Sequence, residues 1–171
     1  IKYFVENYSS LKIYPNGMVE YSAVEDTKGL NLFEDSDAKP TLYESLNKAV
    51  NFAEKVWDSI MPGASFNVLV TSDLTEDGGS EYRFTLDYYV EGTPVSVNLS
   101  DGTKSAVEIV IKNGVMTKYR HLIRSYERTE KTKENLSMVS ALDSIFDSFS
   151  GKETQTLINN IFLSYVEDGS D

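Results

Sequence analysis

Two Asn-Gly dipeptides, Asn16-Gly17 and Asn113-Gly114, constrain this chain more than any other feature. Glycine after asparagine supplies the positive φ that a tight hairpin turn needs. Residues 11–14 and 18–21 flank the first pair, with Pro15 presetting the entry. Residues 106–112 and 115–123 flank the second, and Asp101-Gly102 turns the chain into it. All four segments are rich in β-branched, aromatic or aliphatic residues, so each pair reads as two antiparallel strands. Residues 66–71, 82–90 and 94–99 are extended for the same reason. No strand–helix–strand alternation runs through the chain, which argues against a parallel doubly wound sheet.

One helix stands out against this background. Pro40-Thr41-Leu42-Tyr43-Glu44 is a start signal, because Thr41 can accept from a first-turn amide and Glu44 can answer it three residues later. Apolar residues then recur at Leu42, Leu46, Ala49/Val50, Ala53, Val56/Trp57 and Ile60, with Phe52 at the edge. That spacing is one helical stripe, closed by Pro62-Gly63. A second stripe runs through Leu136, Val139, Leu142, Ile145/Phe146 and Phe149, with Gly151 beyond it. Residues 157–166 read as a final strand. The expectation is an α+β fold: antiparallel sheets, each covered on one face by a long amphipathic helix, in a ββα-strand pseudo-repeat. The chain reads as one module over residues 1–171, or as two subdomains of about 1–98 and 99–171. It opens on Ile1 and closes on a strand with no return partner, as part of a longer protein would.

Composition removes several chemistries. With 171 residues the chain can bury a core without staples. It has 0 Cys and 1 His, which excludes disulfides, thiolate catalysis, cysteine zinc sites and multi-histidine metal centres. No Walker loop, dinucleotide fingerprint or His-Glu-x-x-His occurs. Gly63-Ala64-Ser65 starts like a nucleophile elbow but precedes a strand. Asp73 to Gly78 starts like a calcium loop but places Phe84 where a bidentate glutamate belongs. Glu34, Asp35 and Asp37 read as a solvated acidic loop. His121 reads as a surface or strand-packing histidine sharing a face with Tyr119, with Arg120 pointing the other way. No catalytic, cofactor-binding or metal-ligating residue is assigned, and the chain reads as no enzyme.

Charge points to contact. Lys and Arg number 16 and Asp and Glu 27, for a net charge of −11, which repels nucleic acid. Up to Gly102 the balance is 7 against 17; from Thr103 onward it is 9 against 10. Lys118, Arg120, Arg124, Arg128, Lys131 and Lys133 form the one basic stretch, either a salt-bridged connection or a docking patch. Eleven tyrosines, many in extended segments, suit half-buried sheet faces or an aromatic binding face. Arg120, Arg124, Arg128 and Tyr88 are the candidate interaction residues.

Several segments together resemble a known family. Leu11-Lys12-Ile13-Tyr14-Pro15-Asn16-Gly17-Met18-Val19-Glu20-Tyr21 resembles the first hairpin of YycH/YycI-type proteins. Tyr88-Tyr89-Val90-Glu91-Gly92-Thr93-Pro94-Val95 resembles their Y-x-V-x-G-x-P-V segment. Residues 107–120 are similar to the hairpin that follows, and Ile161-Phe162-Leu163-Ser164-Tyr165 to a later strand. The resemblance implies an extracytoplasmic module of a Gram-positive bacterium, anchored by an N-terminal membrane helix outside this chain. It implies a non-enzymatic regulator of the cell-wall-sensing kinase WalK/YycG, working with a sister regulator of the same family. In that family much of the contact with the kinase is attributed to membrane helices. The Gly92-Thr93-Pro94-Val95 piece is also shared with PepSY-like modules, which implies the alternative of a binder or inhibitor for a peptide or wall fragment.

Overall fold

The computed structural model describes residues 1–26, 28–33, 39–62, 65–75, 79–97, 99, 102–126, 137–149 and 164–167. Helix α1 (Leu42–Asp58) starts where its side chains dictate. The Thr41 hydroxyl oxygen accepts from the Glu44 N–H at 3.2 Å, and the Glu44 carboxylate accepts from the Thr41 N–H at 2.8 Å. This reciprocal pair satisfies two otherwise orphaned donors. The helix ends at Ser59, a little before Pro62; Gly63 lies outside the described residues. Its fully buried line is Ser45, Ala49, Ala53 and Trp57, one residue per turn. Small residues on that line let the backbone approach the sheet, and Leu46, Val50, Phe52 and Val56 pack at its flanks. Leu42 and Ile60 at the two ends of the apolar stripe stay exposed.

Among the described residues ten strands form one sheet: β1 (Lys2–Glu6), β2 (Ser9–Ile13), β3 (Met18–Ala23), β4 (Leu30–Asn31), β5 (Ser65–Asp73), β6 (Glu81–Val90), β7 (Thr93–Val97), β8 (Val107–Lys112), β9 (Val115–Leu122) and β10 (Tyr165–Glu167). The order β1-β2-β3-β9-β8-β6 is antiparallel throughout. Strand β5 pairs antiparallel along the far edge of β6, β7 pairs antiparallel with the end of the edge that β8 occupies, and β10 runs parallel to β7. The sheet is therefore mixed. The expectation of separate antiparallel sheets is corrected, because β3 and β9 join the two Asn-Gly hairpins edge to edge, with Tyr21 opposite Tyr119. Strands from both sides of residue 98 pair with one another, so the chain does not divide there. It divides into a unit of Ile1–Tyr126 with Leu163–Asp171, and a second unit of Glu127–Phe162.

Turn chemistry explains the hairpins. Asn113 and Gly114 both take positive φ, 50° and 82°, the requirement of a two-residue turn matched to strand twist. Glu91 and Gly92, at 48° and 82°, adopt nearly the same pair of angles between β6 and β7. The core gathers Phe84, Leu86 and Tyr88 of β6, Val107, Ile109 and Ile111 of β8, and Met116, Tyr119 and Leu122 of β9 around Trp57.

In the second unit, helix α2 (Met138–Phe149) starts after Ser137, whose hydroxyl oxygen accepts from the Ser140 N–H at 3.1 Å. Leu136, Gly151 and the stretch 157–163 lie outside the described residues. Among the described residues, no helix is long and apolar enough to cross a membrane.

Candidate interaction site

Strand alternation sorts the sheet's residues onto two faces. On one face His121 lies across from Val107, itself across from Leu86, and Tyr119 across from Ile109, itself across from Phe84. This is the face that meets α1: Phe52 sits edge-on to Tyr119 at 5.1 Å, and Trp57 lies 4.1 Å from Tyr88 and 5.0 Å from Phe66 between ring centroids. The Trp57 indole N–H donates to the Arg124 carbonyl at 2.7 Å, tying helix to sheet.

His121 is wholly buried on that face and its ring is held from both sides. The Tyr88 hydroxyl donates its one proton to the Leu122 carbonyl, so it receives the His121 Nε2–H at 3.1 Å. Nδ1 then accepts from the Tyr119 hydroxyl at 2.6 Å. A neutral imidazole satisfies every one of these groups. Burial pushes His121 down to about 4 and holds the Tyr119 hydroxyl well above its ordinary range. The cluster is a satisfied core network that keeps its protons where they are.

The opposite face carries charge. A cross-strand row runs Lys12, Glu20, Arg120, Glu108 over β2, β3, β9 and β8, alternating in sign. Arg120 Nε lies 3.9 Å from Glu20, and the Arg120 guanidinium donates to the Thr103 hydroxyl. Arg83 Nε lies 3.5 Å from Glu108. The Tyr14 hydroxyl donates to Glu20 at 2.7 Å, and that carboxylate holds the phenol above its usual range. The side chains of Glu20, Arg120 and Glu108 are each about one-third or more exposed. Cross-strand pairs of opposite charge stabilise a sheet modestly.

Asp87 lies on the same face but beneath the surface, 2% exposed. Its carboxylate accepts from the Ala106 N–H at 2.9 Å. Burial raises its pKa to about 6, with the Ala106 and Val97 N–H groups pulling the other way.

The four candidate interaction residues have different fates. Arg120 belongs to the half-exposed charged row. Arg124 donates to the Asn16 carbonyl and clamps the first hairpin turn. Tyr88 is fully buried and takes no part in a surface, because β6 is an inner strand covered by Trp57. Arg128, with Lys131 and Lys133, lies outside the described residues, as do Glu34, Asp35, Asp37 and 76–78. The row itself escaped sequence reading: Lys12, Glu20, Arg120 and Glu108 are scattered along the chain and meet only through strand register. Among the described residues, no group of three or more acidic, histidine or cysteine side chains could hold a metal ion. No family model, no curated protein and no solved structure matches this chain.

Proposed function

We propose that this chain is a non-enzymatic, extracytoplasmic regulatory module that acts by protein contact on a cell-wall-sensing two-component histidine kinase. The ordered YycH/YycI-like hairpin segments motivate the partner. The observation that carries the mode of action is the division of labour between the sheet's faces. One face is committed to packing against α1, and its only imidazole is held neutral and buried. The other offers the alternating row Lys12, Glu20, Arg120 and Glu108, which suits recognition of a partner with its own patterned charge. Anchoring by a preceding membrane helix, and a sister regulator as second partner, belong to the same reading.

The reading also takes the fold as two related halves in a ββα-strand order. Support comes from strand order: outward from the β3–β9 contact, β3-β2-β1 on one side matches β9-β8-β6 on the other. The buried line of α1 supports the covering role for the first helix.

The test substitutes Lys12→Ala and Arg120→Ala together in the anchored protein and measures kinase output under wall stress. Altered output with an unchanged folding transition supports the reading. Output equal to wild type with an intact fold overturns the role of this face. A second reading, a PepSY-like binder, is favoured by the half-exposed Tyr89 opposite Pro94 at the β6–β7 hairpin. Titration with wall fragments and peptides, followed through Trp57 and tyrosine fluorescence, separates the two.

A further inference from the structure

Strand β1 ends the sheet. Among the described residues it pairs with β2 and with no other strand. All five of its residues are exposed, including Tyr3 at 59%, Phe4 at 54% and Val5 at 63%. Edge strands usually carry a bulge, a proline or an inward charge that blocks further pairing. The register of β1 on β2 is unbroken, and β1 contains no proline.

The two-residue Asn7-Tyr8 loop makes Glu6 and Ser9 a hydrogen-bonded pair. Alternation in an antiparallel ladder then points the N–H and C=O groups of Lys2, Phe4 and Glu6 toward β2. Those of Tyr3 and Val5 point off the sheet. A second β1, run antiparallel about a two-fold axis at Phe4, meets this edge in register. Tyr3 faces Val5 of the other copy as a hydrogen-bonded pair, twice. Phe4 faces Phe4, and Lys2 faces Glu6 twice, in the closer non-hydrogen-bonded positions. Among the described residues neither Lys2 nor Glu6 has an ion-pair partner within its own chain. The sequence Lys-Tyr-Phe-Val-Glu is thus complementary to itself in charge, in apolar contact and in backbone parity.

We propose that β1 is the seam of an isologous homodimer, in which two copies of this chain join their sheets edge to edge. This goes beyond the regulatory reading and does not depend on it. Sedimentation equilibrium on the chain, over about 1 µM to 1 mM, spans the affinities such a short seam can reach. The proposal expects a monomer–dimer equilibrium. Lys2→Glu alone and Glu6→Lys alone each put like charges opposite one another twice, and each weakens dimerisation by about tenfold or more. The double exchange, Lys2→Glu with Glu6→Lys, restores it. Val5→Pro removes an outward N–H without touching the β1–β2 ladder, and it abolishes the dimer while the circular dichroism spectrum persists. A chain that stays monomeric throughout overturns the proposal, as does a dimer indifferent to the Lys2 and Glu6 reversals. A monomer that instead binds anionic phosphatidylglycerol vesicles through β1 overturns it in favour of a lipid surface.

Discussion

Two buried groups titrate in opposite senses over the same pH window, and removing one exposes the other. The perturbation is Asp87→Asn, which keeps an oxygen to accept the Ala106 N–H. In the wild-type protein His121 falls to about 4 on folding from an ordinary value of 6.5. Below pH 6.5 the unfolded chain binds a proton that the folded chain refuses, so stability is lost as pH falls toward 4. The loss reaches about 3 kcal/mol at pH 4. Asp87 rises to about 6 from 3.8. Below pH 6 the folded chain binds a proton before the unfolded chain does, so stability is gained as pH falls toward 3.8. That gain is about 2.5 kcal/mol at pH 4. In wild type the two nearly cancel. Asp87→Asn removes the gain and leaves the loss, so the variant becomes about 2.5 kcal/mol less stable relative to wild type at pH 4 than at pH 7. His121→Gln does the reverse, and its stability relative to wild type rises by about 3 kcal/mol over the same interval, whatever its offset at pH 7. Urea unfolding followed by the fluorescence of Trp57, the single tryptophan, reads both at pH 7, 6, 5 and 4. With a slope of about 2 kcal/mol per molar urea, the relative midpoint displacement exceeds roughly 1 M. An Asp87→Asn curve that parallels wild type from pH 7 to pH 4 would mean that the Asp87 carboxyl is not raised in the folded protein.

Trp57→Phe removes the indole N–H that reaches the Arg124 carbonyl and part of the ring packed on Tyr88, and should cost about 1–3 kcal/mol in urea unfolding followed by circular dichroism. Gly17 and Gly92 share a φ of 82°, but a Cβ on Gly17 would lie 2.8 Å from the Ile123 carbonyl oxygen while one on Gly92 meets nothing within 4 Å. Thermal melts should therefore rank Gly17→Ala as the more damaging, with Gly92→Ala limited to the backbone strain of about 1–2 kcal/mol.

The parts legible in the sequence are those with local causes. The capping pair Thr41 and Glu44 and the stripe behind it mark α1, and Asn16-Gly17 and Asn113-Gly114 mark the hairpins, because each signal acts within a few residues. The apolar stripe overstated the ends of α1: Leu42 and Ile60 have the right period but stay exposed, and Ser45, a polar residue, is the buried one. Strand β1 carries no inside–outside signal, since none of its residues is buried. Tyr88 has the pattern of a surface aromatic because its own strand cannot say that β5 and β7 flank it on either side. The charged row was hidden for the same reason, as register between β2, β3, β9 and β8 is set by contacts far apart in the chain. Alternation puts His121 on the same strand face as Tyr119 but does not say that this face is buried, and the second partner, Tyr88, comes from packing.

The proposed contact with a sensor kinase has a direct test. The direct measurement compares kinase output under wall stress in cells carrying the anchored protein with residues 1–171 intact and with them deleted. Regulation by contact predicts a changed response after the deletion, restored when the module is supplied again on the same anchor. Identical responses with and without these residues contradict it.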